Sequence, residues 1–235
     1  MQRKIIMIKK ILVWDLPVRL FHWLLVTSIF AAWYTSDGER GLIDIHLKIG
    51  YFILGLIIFR IIWGVLGTKY AKFSQFIPNR TALINYIKDF KQTKESNSVG
   101  HNPLGGLMVI FMLMLLLSQA ISGLFMNDDV FTTGPYFDSV DGATQKIMSF
   151  IHSNAFDVII VFSALHIGAI FYYLFAKKIN LIIPMFTGYK SNNANKTQGI
   201  KSSKLLLALI IVLAVAVFLY WLVVLNIPVE EEFYY

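Results

Sequence analysis

The sequence predicts an all-α integral membrane protein with five spanning helices, N-terminus inside and C-terminus outside. Three observations point there. Of the 235 residues, 57% are hydrophobic and only 15% charged, with a mean hydropathy of +0.63, a balance typical of chains solvated by lipid. Five apolar runs, 16–35, 46–66, 104–126, 149–176 and 205–227, are long enough to cross a bilayer. Lysine and arginine then sort by side. Arg3, Lys4, Lys9 and Lys10 precede the first run, Lys69, Lys72, Arg80, Lys88, Lys91 and Lys94 separate the second from the third, and Lys177, Lys178, Lys190, Lys196, Lys201 and Lys204 separate the fourth from the fifth. The alternate connections hold Asp37, Glu39, Arg40 and Asp44, then Asp128, Asp129, Asp138, Asp141 and Lys146, with Glu230 to Glu232 closing the chain. Positive residues stay in the cytoplasm, which fixes the orientation.

The same composition excludes other classes. A net charge of +7 could suit nucleic acid, but its carriers lie in the loops between apolar runs, so no nucleic-acid partner is expected. With no cysteine, the chain cannot supply thiolates to an iron–sulfur cluster or attach a c-type haem. Residues 1–11 are basic, but the long apolar run that follows lacks a small-residue cleavage site, so the first helix is expected to remain as an anchor.

The first run opens with WDLPVRLFHW, where Pro17 suits a first helical turn and Trp14 and Trp23 an interface belt. His22 lies just inside that belt, thirteen residues, or about 20 Å, from Thr35. His46 begins the second run, and Arg60 follows it by fourteen residues. Residues 80–90 place Leu83, Ile84, Ile87 and Phe90 at helical spacing beside Lys88, as in a basic amphipathic helix on the membrane surface. The fourth run carries His152 and His166, whose spacing nearly closes four turns and sets both imidazoles on one face about 21 Å apart. Residues 191–204, polar and rich in Asn, Ser and Lys, read as a flexible cytoplasmic linker, and 205–227 as an extra spanning helix.

An imidazole inside an apolar bundle needs a partner, and haem iron is a leading candidate. Depth pairs His22 with His166 at the inner level and His46 with His152 at the outer one. Arg19 and Arg60 reach the inner level and Lys48 the outer, where each could bind a haem propionate or simply extend to lipid headgroups. Gly50, Gly55, Gly105, Gly106, Gly123 and Gly168 would admit either a flat macrocycle or a neighbouring helix backbone. His101, before Pro103 at a helix start, reads as structural or as lying near a propionate or quinone. Asp157 points roughly 140° away from His152 and 180° from His166, and suits a neighbouring helix or a proton path.

The segments VWDLPVRLFHWLL, HLKIGYFILGLIIFRIIWGVLGTKYAKFSQF, GHNPLGGLMVIFMLMLLLSQAISGLF and ALHIGAIFYYLFAKKINLIIPMFTGYK closely resemble the bacterial di-haem cytochrome b family, which includes cytochrome b-561 and the cytochrome b subunits of nickel-iron hydrogenases. The likeness covers 11–190. It implies an antiparallel transmembrane four-helix bundle in the bacterial inner membrane, holding two non-covalent b-type haems through histidines that correspond to His22, His46, His152 and His166. It also implies electron transfer between a quinone near the inner haem and a periplasmic partner, a cytochrome c or a hydrogenase or dehydrogenase subunit. Asp157 and the fifth run depart from the family pattern. The rival reading is a non-redox anchor or transporter subunit with structural histidines. A membrane di-iron oxygenase would need clustered histidines such as H-x-x-H-H, which are missing.

Overall fold

The computed structural model describes residues 9–90, 98–127, 132–192 and 198–228. Arg3, Lys4, Lys91, Lys94, Asp128, Asp129, Lys196 and Glu230 to Glu232 lie outside them. In chain order the elements are β1 (Lys9–Leu12), α1 (Leu16–Thr35), α2 (Ile43–Leu66), α3 (Arg80–Asp89), α4 (Pro103–Gly123), α5 (Gly142–Phe175), α6 (Ile182–Thr187), β2 (Tyr189–Asn192) and α7 (Leu205–Tyr220), the last continued by a wider π turn over Trp221–Leu225. Five of them, α1, α2, α4, α5 and α7 with its π extension, are long and apolar enough to cross a membrane. The protein is therefore an all-α multi-pass membrane protein, as its composition predicts.

The helix ends explain where the apolar runs misjudge the boundaries. Asp141 caps α5 by accepting from the Thr144 N–H at 2.8 Å, and these bonds hold its carboxyl below the usual carboxylate range. The helix thus starts at Gly142, well before the apolar run, and its 34 residues span about 50 Å, more than the roughly 30 Å of hydrocarbon. His152 is accordingly not at the start of its helix, and His46 sits one turn inside α2. Helix α4 ends at Gly123 rather than at 126, because Leu124 and Phe125 turn back onto Ile121 and Ser122.

Contacts divide the chain into two units. The first takes the described residues within Met1–Phe21, Ile61–Phe111 and Ser163–Ala208, which include the lysine-rich connections. Within it Asp15, only 1% exposed, caps α1 by accepting from the Val18 N–H at 2.7 Å. Its second oxygen accepts from Trp63 Nε1 at 3.2 Å and from the Thr68 hydroxyl, which ties the start of α1 to the end of α2. An N-cap carboxylate contributes about 1 kcal/mol, and removing it would take the acceptor from three buried donors.

Strands β1 and β2 pair antiparallel, Leu12 opposite Tyr189 and Lys9 opposite Asn192. Neither was legible in the sequence, since four-residue basic strands show no apolar alternation. Gly188, at φ +84°, accepts from the Val13 and Trp14 N–H groups; a Cβ there would stand 2.6 Å from the Trp14 carbonyl. The expected linker is tied down around its undescribed stretch 193–197: Ile200 N–H donates to Leu12 O, Tyr70 to Gln198 O and Leu16 N–H to Ser203 Oγ. Helix α3 forms where the amphipathic pattern predicts it, capped by Asn79 on the Ala82 N–H. Tyr86 on α3 bonds Tyr173, whose hydroxyl also accepts from Asn102 Nδ2 at 2.8 Å.

The second unit takes the described residues within His22–Arg60, Met112–Phe162 and Leu209–Tyr235, including the acidic connections. Here α7 packs on α2: a Cβ on Gly55 would stand 2.6 Å from Leu219 Cδ1. The π turn leaves the Leu222 carbonyl to accept from the Tyr136 hydroxyl at 2.7 Å, and Asn226 Nδ2 donates back to that hydroxyl at 3.3 Å.

Candidate functional site

The second unit brings His46 and His152 together. Their ring centroids are 6.2 Å apart with the planes at 87°. A metal about 2 Å from one nitrogen of each of two opposed imidazoles leaves the centroids roughly 6 Å apart, so the separation suits a shared ion. Each ring is also oriented by its other nitrogen. Nδ1 of His46 donates to the Ala32 carbonyl at 2.9 Å, and Nδ1 of His152 to the Gln119 carbonyl at 3.0 Å. A carbonyl only accepts, so both rings carry their proton on Nδ1 and present the Nε2 lone pair, the tautomer a ligating histidine needs.

Glycines complete the space. Gly123 lies against the His152 ring, where a Cβ would stand 2.9 Å from Cε1. Gly50, one turn after His46, has no heavy atom within 4 Å of where its Cβ would be, which leaves room for a flat group beside the ligand. These residues fit an iron porphyrin. Of the other candidate glycines, Gly55 meets a leucine of α7 and Gly106 meets the Phe76 carbonyl, where a Cβ would stand 2.3 Å away. The first serves helix packing, and the second lets α4 approach the backbone of the connection between α2 and α3. Gly105 lies against Asn102, and Gly168 is open on the outside of α5.

The remaining candidates are placed as follows. His22 is half-buried on α1, edge-on to Trp23 at 4.9 Å. His166 is half-buried on the same unbroken helix as His152, so the rise predicted between them stands. Arg60 is 3% exposed within α2. Arg19 donates from Nη1 to the Phe186 carbonyl, while its Nε is buried with no partner among the described residues. Lys48 is exposed. His101 lies between Trp14 and Phe76, each 4.7 Å away.

Sequence reasoning missed the two carbonyls that orient His46 and His152. No side-chain pattern encodes them, because any residue supplies a carbonyl. Nor did it find the Tyr86–Tyr173–Asn102 chain, whose members are far apart in sequence.

Among the described residues, no group of three or more His, Cys, Asp or Glu side chains gathers as a conventional metal cluster would. A family model for prokaryotic cytochrome b561 matches residues 13–188. No curated protein and no solved structure matches the chain. With five membrane-length helices and that match over most of its length, the chain belongs to the prokaryotic cytochrome b561 family, transmembrane haem b proteins of electron transfer.

Proposed function

We propose that the chain holds two haem b groups, one between His46 and His152 and one between His22 and His166, and passes electrons across the bacterial inner membrane between a quinone and a periplasmic redox partner. The observation that carries this reading is the His46–His152 pair at 6.2 Å, both rings fixed through Nδ1. The inner pair rests on the matching depths of His22 and His166 along unbroken helices. When bound, each haem supplies a one-electron couple. The protein's part would be to hold each haem without a covalent attachment, His46 with His152 and His22 with His166 supplying the imidazoles, and to exclude water with apolar helices.

Arg19 and Arg60 would neutralise propionates at the inner site, Arg19 through its buried Nε, and Lys48 would do so at the outer site. Lysines in the first unit's connections and acids in the second's support an inside N-terminus and a periplasmic outer site. The partner there would be a cytochrome c or a hydrogenase or dehydrogenase subunit, with the quinone near the inner site. The domain reading keeps 11–190 as the haem-binding part, 191–204 as a cytoplasmic connection and 205–227 as an added helix.

A pyridine haemochrome assay on purified protein should return two b haems per chain, and His152→Ala should lose one while His166→Ala loses the other. In stopped-flow reduction, the His166 variant should fail to accept electrons from a quinol yet still accept them from a water-soluble reductant. A chain without visible absorption would instead be the non-redox anchor. Loss of both haems in both single variants would mean the sites fold as one.

A further inference from the structure

We propose that the face of α5 opposite its histidines docks a transmembrane helix of a partner protein, and that a lysine or arginine on that helix pairs with Asp157. Asp157 lies eight residues, about 12 Å, inside the apolar run that begins at Ser149, too far for so short a side chain to reach an interface. It is exposed on the outside of α5, and none of the hydrogen bonds or ion pairs among the described residues reaches its carboxyl. A carboxyl in hydrocarbon is costly without a donor or a cation.

The surrounding face is shaped for a helix. Phe150, Asn154, Val161, Ala164 and Gly168 fall within roughly 60° of Asp157 around the axis, and all are exposed. Asn154 turns its amide onto its own helix, donating to the Phe150 carbonyl at 2.7 Å. Ala164 and Gly168 are small, and nothing lies within 4 Å of where a Gly168 Cβ would be, so a second backbone can approach closely.

Charge selects the occupant. A second copy of this chain, meeting the first across a two-fold axis along the membrane normal, would present the same carboxyl at the same depth, like against like. The chain's own extra helix is no candidate either. Helix α7 and its π extension carry no charged residue from Leu205 to Leu225, and Leu219 is engaged with Gly55. A cation on a different chain satisfies the carboxyl, and a heterologous helix can bring it.

The test uses the intact, haem-loaded chain in lipid vesicles with a designed poly-leucine transmembrane peptide bearing one lysine at the depth of Asp157, association being read by fluorescence energy transfer. The lysine peptide should bind about tenfold more tightly than an all-leucine control. Asp157→Leu should erase the difference while the haem spectrum stays intact. Asp157→Lys should then bind a peptide carrying aspartate at that depth. Equal binding of both peptides, or a lysine preference that survives Asp157→Leu, would overturn the proposal. So would self-association of two labelled copies that Asp157→Leu abolishes, since the occupant would then be a second copy.

Discussion

The His152 ring is held at one nitrogen by the Gln119 carbonyl and pressed at its edge by Gly123. A side chain at Gly123 must displace the ring, because a Cβ would already stand 2.9 Å from Cε1. Gly123→Val should therefore cost about 1–3 kcal/mol of stability through overpacking, and the haemochrome assay should show loss of the haem proposed between His46 and His152. A second residue-scale prediction concerns Tyr86, outside the membrane on α3. Burial first, and then its bond to Tyr173, push the phenol well above its ordinary value. Above a pH of about 10 the unfolded chain gives up this proton while the folded chain keeps it, so stability falls as pH rises through that window. Thermal melts from neutral to alkaline pH should show a smaller alkaline loss in Tyr86→Phe than in the parent. An equal loss would remove Tyr86 from the account.

At the scale of elements, the fifth helix is the feature that the family resemblance does not explain. Its C-terminal end is fastened by the Tyr136 hydroxyl to the Leu222 carbonyl, and Leu219 fits over Gly55. Gly55→Val should drive a branched side chain into Leu219 and destabilise the protein by about 1–3 kcal/mol. Adding Leu219→Ala should recover part of that loss, because the two sites touch and their effects are not additive. Denaturation of the four members of this cycle in detergent measures the coupling. Strict additivity would mean that α7 does not rest on Gly55. The short sheet acts differently: β1 and β2 clamp two connections that the sequence separates by more than 170 residues, and Ile200 joins them through Leu12.

For the whole molecule, the sorting of lysine and arginine is what the proposed orientation rests on. A reporter fused after Tyr235 should be active in the periplasm, and cytoplasmic activity would invert the proposed placement of both haem sites. Among the described residues, those of the basic connections within 67–102 and 176–204 fall in one contact unit, and those of 36–42 and 132–141 in the other. Charge on the connections thus agrees with a tertiary grouping that charge alone does not produce.

Membrane residence, the five helices and the histidine spacing were legible in the sequence by itself. Lipid allows a spanning chain few structures, and apolar length and helical periodicity are local properties. His152 and His166 share one face of one helix whatever surrounds it. Tertiary structure alone decided what depends on residues remote in sequence: that His46 and His152 stand 6.2 Å apart, that Ala32 and Gln119 orient them through backbone carbonyls, and that Gly55 meets a leucine of α7 and Gly106 the Phe76 carbonyl while Gly50 leaves open space. A carbonyl or an absent side chain has no signature of its own, and its role is set by what folding brings against it.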